Sequence, residues 1–117
     1  MKKLILTCAA LSSCIIHANT VNWSEWTLYH HESLTSECAA RLTGNAAIPE
    51  VAGKRLKGNK VTITGKGIDF RKKFNLPPRA MYPVLLVKQV ELPQDQVVKL
   101  GCGVDWWVEG YCNGKIV

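Results

Sequence analysis

Residues 84–92 read Val84-Leu85-Leu86-Val87-Lys88-Gln89-Val90-Glu91-Leu92. The run opens with four apolar residues. Lys88, Val90 and Leu92 then alternate with Gln89 and Glu91. A period of two in a segment rich in β-branched side chains predicts a strand, the strongest in the chain.

Upstream, Lys60-Val61-Thr62-Ile63-Thr64 alternates in the same way and predicts a second strand. Gly65 and Gly67 interrupt it with a bulge or bend, after which Ile68-Asp69-Phe70 is expected to resume it. Residues 71–83, RKKFNLPPRAMYP, carry three prolines and read as a loop. Residues 26–31, WTLYHH, set Trp26, Leu28 and His30 on one face of a further strand. Between these, Thr35-Ser36-Glu37 has the hydroxyl and the early acid of a helix start. Leu34, Cys38 and Leu42 fall on one helical face, which turns Cys38 inward. Gly44 offers a left-handed stop, so a short helix is expected near residues 35–43.

Downstream, residues 93–96 are a turn and residues 97–100 a strand. Residues 106–108 and 116–117 add short strands. One short helix with five or six strands makes a mainly β domain, all-β or α+β, built on a small antiparallel sheet. The phrase LKGNKVTITGKG (residues 56–67), followed by a long strand, resembles the opening of small barrels of the oligonucleotide/oligosaccharide-binding (OB) type. That resemblance implies an OB-like five-stranded barrel bent by glycines and bulges.

The first residues, MKKLILTCAALSSCIIHANT, have a different character. Lys2 and Lys3 precede an uncharged run from Leu4 to Ile16, and small Ala18 precedes polar Asn19-Thr20. This is the three-part order of a secretory signal peptide. The apolar run is shorter than a bilayer core requires. The expectation is a signal peptide over 1–18 and a single periplasmic or secreted β-rich domain over 19–117. The same stretch holds a second reading. Leu11-Ser12-Ser13-Cys14 resembles a bacterial lipobox, which makes Cys14 a candidate for lipidation and the protein a membrane-anchored lipoprotein.

Export places the chain where disulfides persist. Of five cysteines, Cys8 and Cys14 belong to the leader, leaving Cys38, Cys102 and Cys112. Cys102 and Cys112 flank a glycine-rich segment and form the expected bridge. Pairings of Cys38 with either remain open.

The formal charge is +6, and it is unevenly placed. Residues 51–80 hold nine cations against Asp69 alone, whereas the segments on either side are net acidic once the leader is excluded. Such a segment suits an anionic partner, an envelope polymer, an acidic protein or a nucleic acid. The residues expected to make the contact are Lys66, Arg71, Lys72, Lys73, Phe74 and Arg79. An exposed ring from Trp106 or Trp107 in the cysteine hairpin would assist.

Other motifs carry less. Trp23-Ser24-Glu25-Trp26 resembles the opening of thrombospondin type 1 repeats, but the cysteines that follow in that family are absent. His30 and His31 diverge on a strand and are expected at the surface rather than on a metal. The sequence has no nucleophile elbow, phosphate-binding glycine loop or metalloprotease helix. A non-catalytic binding or accessory protein without cofactor is therefore expected. The alternatives are a tethered lipoprotein with a structural, inhibitor or immunity role, and a small thiol/redox envelope enzyme.

Overall fold

The computed structural model describes residues 2–10, 14–17, 23–77, 83–92, 99–102 and 108–117; for 2–10, 14–17, 92 and 99–102 it describes the backbone alone. Ten strands and two short helices are present among them: β1 (Lys2–Ala10), β2 (Cys14–His17), β3 (Glu25–His30), α1 (Ser36–Ala40), β4 (Glu50–Val51), β5 (Lys54–Arg55), β6 (Asn59–Thr62), α2 (Phe70–Lys73), β7 (Val84–Leu92), β8 (Lys99–Cys102), β9 (Val108–Cys112) and β10 (Lys115–Ile116).

Six strands form one antiparallel sheet in the order β10-β9-β1-β7-β3-β6. Two two-stranded sheets, β2-β8 and β4-β5, stand beside it. The mainly β character, the antiparallel pairing and the helix near residues 35–43 match the sequence expectation. The OB-like barrel does not. The main sheet is open, with β10 and β6 at its edges. Lys60 on β6 and Lys115 on β10 put charge on those edges, a common way to discourage edge-to-edge pairing.

Why both edges stay open follows from the core. Val84, Leu85, Leu86 and Val87 are all buried, so successive residues of β7 are covered on opposite faces. On the first face Val84 and Leu86 pack with Trp26, Leu28, Val61, Ile63 and Phe70. On the second face Leu85 and Val87 pack with Tyr29, Leu34, Cys38, Ala39, Leu42 and Tyr111. Helix α2 covers the first face through Phe70, and α1 covers the second through Cys38 and Ala39. The result is a layered domain around a sheet with two covered faces, rather than a sheet curled around one interior. Leu28 and Leu86 sit opposite each other and are fully buried. Each contributes about 1.5–3 kcal/mol relative to an exposed position.

The helix ends differ from expectation. Helix α1 stops at Ala40, with the Arg41 N–H on the Glu37 carbonyl at 3.1 Å. Gly44 does not supply a left-handed stop; Thr43 and Ala46 close a tight turn around it by mutual hydrogen bonds of 3.1 Å. Residues 70–73, expected as the end of a strand and the start of a loop, are helical. Asp69 accepts the Lys72 N–H at 3.2 Å and caps the start. At the other end Asn75 takes φ +50°, with Asn75 N–H on Lys72 O and Leu76 N–H on Arg71 O at 2.9 Å. That is a Schellman stop, and Asn tolerates the left-handed conformation it needs.

Candidate functional site

Helix α2 presents the basic cluster. Phe70 is buried in the first core, and Arg71, Lys72 and Lys73 follow it outward, all exposed. They occupy the last turn, where the helix dipole favours positive charge. Lys66 sits exposed in the turn that precedes the helix, where the Gly67 N–H bonds the Thr64 carbonyl at 2.9 Å. Ile63 and Ile68, on either side of that turn, pack in the same core as Phe70. Lys66, Arg71, Lys72 and Lys73 therefore belong to one face of the domain.

Two further cations of the segment do not join them. Lys54 and Arg55 lie on the β4-β5 hairpin, whose Val51 and neighbouring Leu56 pack against the second core on the opposite face. Ala52 and Gly53 turn that hairpin with φ of +52° and +75°. Arg55 faces Glu50 at 3.9 Å, and Lys60 holds Glu25 at 2.9 Å. The Lys60 hydrogen bond and charge keep the Glu25 carboxyl below its usual range. The sheet thus separates Lys54 and Arg55 from Lys66 and the cations of α2.

On the α2 face the cations lack acidic partners among the described residues. Asp69, the one acid of the segment, spends an oxygen on the Lys72 backbone N–H. No ion pair reaches Lys66, Arg71, Lys72 or Lys73 from a described residue. These four side chains are thus available to anions.

Phe74 has a different role from the one expected. Its ring stacks on the His30 imidazole, with centroids 4.2 Å apart and planes within 14°, and lies 6.5 Å from Phe70. It is half-buried, and it fastens α2 to β3 rather than standing free as a stacking platform. His30 is correspondingly half-buried, not a surface histidine, and burial together with nearby His31 lowers its pKa. No cluster of three metal-ligating side chains is present among the described residues.

Arg79, Trp106 and Trp107 lie outside the described residues. The cysteines are separated by topology. Cys102, on β8, stands opposite Cys14 in the β2-β8 pair. Cys112, on β9, stands opposite Leu6 and Lys115 in the main sheet and carries a free thiol. Burial pushes the Cys112 thiol up, the opposite of what a nucleophilic thiolate needs. Cys38 is a free, buried thiol in contact with Thr35 Oγ1 at 3.5 Å and the Glu50 carbonyl at 3.7 Å, in keeping with its inward position on α1.

A second polar cluster ties α1 to β9. Glu109 accepts hydrogen bonds from Ser36 Oγ at 2.6 Å and from the Tyr111 hydroxyl at 2.7 Å. These bonds lower the Glu109 pKa and raise that of Tyr111. No residue pattern in the sequence singled out this group, because its members are 73 positions apart.

No protein-family model, curated protein or solved structure matches the chain. No helix among the described residues is long and apolar enough to cross a membrane.

Proposed function

We propose that this chain is a small exported, non-catalytic binding protein that uses the α2 face to hold an anionic envelope polymer. The observation that carries the reading is the set Lys66, Arg71, Lys72 and Lys73. These cations share one face, are exposed, and have no acidic partner among the described residues. A rigid base supports them, since Phe70 anchors α2 in the core and Phe74 stacks on His30. A fixed array of cations binds a polyanion by releasing its condensed counterions, with little ordering cost on the protein side. The localisation rests on the sequence of residues 1–18, which has the order of an export signal.

The test uses a phosphate-bearing polysaccharide as probe and follows binding across a salt series. Wild-type protein is expected to bind with a steep salt dependence. The triple variant Arg71→Gln, Lys72→Gln, Lys73→Gln is expected to reduce the log–log salt slope by about 2 units, by the scale known for flexible single-stranded polyanions. Equal affinity and equal slope for the two proteins would refute the assignment of α2.

A further inference from the structure

We propose that the exported chain receives an extended strand from a partner polypeptide in the gap that loss of residues 1–18 opens between β7 and β9. The inference rests on the export reading above. In the full chain β1 lies between these two strands, pairing Lys2–Ala9 with Leu85–Leu92 and Leu6–Ala10 with Val108–Cys112. Removing it strips both neighbours of a row of main-chain partners. Adjacent strands are about 4.8 Å apart, so β7 and β9 would then stand about 9.6 Å apart, too far to bond directly.

The walls of this gap also have contacts that do not pass through β1. Val108 and Cys112 pack against the first core, and Tyr111 is buried in the second. Glu109 is fastened to α1 through Ser36. Gly114, in the turn to β10, lies against the end of α1: a Cβ there would collide with the Ala40 carbonyl oxygen, and the Leu42 carbonyl oxygen would lie 3.4 Å away. β7 is held from its other side by β3. Collapse of β9 onto β7 would have to break these contacts, while two exposed strand edges would be open to indiscriminate pairing. An added strand satisfies both edges at once, as in strand-addition complexes.

The register defines the occupant. Residues 4, 6 and 8 of β1 stand opposite Val90, Lys88 and Leu86, on the face of the first core. Residues 5, 7 and 9 stand opposite Gln89, Val87 and Leu85, on the face of the second. The segment that fits there is Leu4-Ile5-Leu6-Thr7-Cys8-Ala9. The partner strand is therefore uncharged across its middle, apolar at alternate positions on the first face, and small where it meets Leu85.

The experiment starts from the full chain expressed with export in a bacterial host and purified from the extracytoplasmic fraction. Intact mass is measured first, then binding of a synthetic peptide of residues 2–10 carrying Cys8→Ser, with hydrogen exchange as a second readout. The expected chain starts at Asn19, binds the peptide one to one, and gains protection at 85–92 and 108–112. The same peptide with Ile5→Pro and Thr7→Pro lacks two donors and is expected to bind at least about tenfold more weakly. A chain that is unfolded alone and folds on adding the peptide also supports the proposal. A chain starting at Asn19 that ignores the peptide, whether as a monomer with 85–92 already protected or as a self-paired dimer, overturns the strand-acceptor site and leaves the export reading intact. A chain starting at Met1 overturns both. Neither result bears on α2, whose triple variant is expected to bind the peptide as wild type does.

Discussion

The His30 imidazole lies flat against the Phe74 ring, 4.2 Å between centroids and 14° between planes, and joins the central sheet to the helix that carries the basic cluster. Together with buried Phe70, the stack ties α2 to the sheet, since one isolated helical turn would not hold its shape in water. Replacing Phe74 with Ala is expected to cost about 1–2 kcal/mol, below the usual range for a fully buried Phe because this ring is half-buried. A double-mutant cycle with His30→Ala should return a coupling of about 0.5–1.5 kcal/mol. Denaturant unfolding of the four proteins measures it, and additive effects would show that the two rings do not cooperate.

The same contact predicts a pH dependence. Burial and the neighbouring His31 hold the His30 pKa below its ordinary value of 6.5. The unfolded chain therefore binds the proton more readily than the folded one, and stability rises with pH across that window. The contribution is present above pH 6.5 and is lost as pH falls through the lowered folded value. A His30→Gln variant should show a flatter stability profile between pH 7 and 5 in thermal unfolding.

Glu109 gives the opposite group with the same sign. Hydrogen bonds from Ser36 and Tyr111 hold its carboxyl below the ordinary 4.5. Its contribution is present above pH 4.5 and disappears as pH falls through the folded value, when the carboxylate takes a proton. Ser36→Ala is expected to raise the Glu109 pKa, which carboxyl-carbon NMR titration reads directly. An unchanged value would mean that Ser36 does not fasten α1 to β9.

Gly58 makes a packing prediction. A Cβ at that position would stand 2.8 Å from the Tyr29 ring, inside van der Waals contact. Tyr29 is itself buried in the second core and has little room to retreat. Gly58→Ala is expected to destabilise by about 1–3 kcal/mol by overpacking. Gly65→Ala is the control, because nothing lies within 4 Å of its Cβ position.

Strand 84–92 was legible to the residue, because an apolar run rich in valine passes into a period-two alternation over 88–92. The helix near 35–43 was legible from its cap residues and from Leu34, Cys38 and Leu42. The OB-like barrel failed for a reason visible in β7. Val84 to Val87 form an unbroken apolar run, which is the pattern of a strand covered on both faces. Helix α2 was missed because Pro77, Pro78 and Pro83 suggested a loop. Its signals were Asp69 as cap and Asn75 as stop, two residues that read as punctuation only once their hydrogen bonds are seen. The basic residues of the site were legible as part of a charged segment, but the separation of Lys54 and Arg55 onto the other face was not. Linear charge density says nothing about which side of a sheet each residue reaches. The role of Phe74 was hidden for the same reason, since its partner His30 lies 44 positions away.

The salt dependence of polyanion binding tests the central claim most directly. Wild-type protein and the Arg71→Gln, Lys72→Gln, Lys73→Gln variant are titrated with the same phosphate-bearing polysaccharide at several salt concentrations. The account predicts that the variant loses about 2 units of slope and binds more weakly at every low-salt point. A second variant, Lys54→Gln with Arg55→Gln on the opposite face, should match wild type. A triple variant indistinguishable from wild type, or a loss that follows the opposite face, would contradict it.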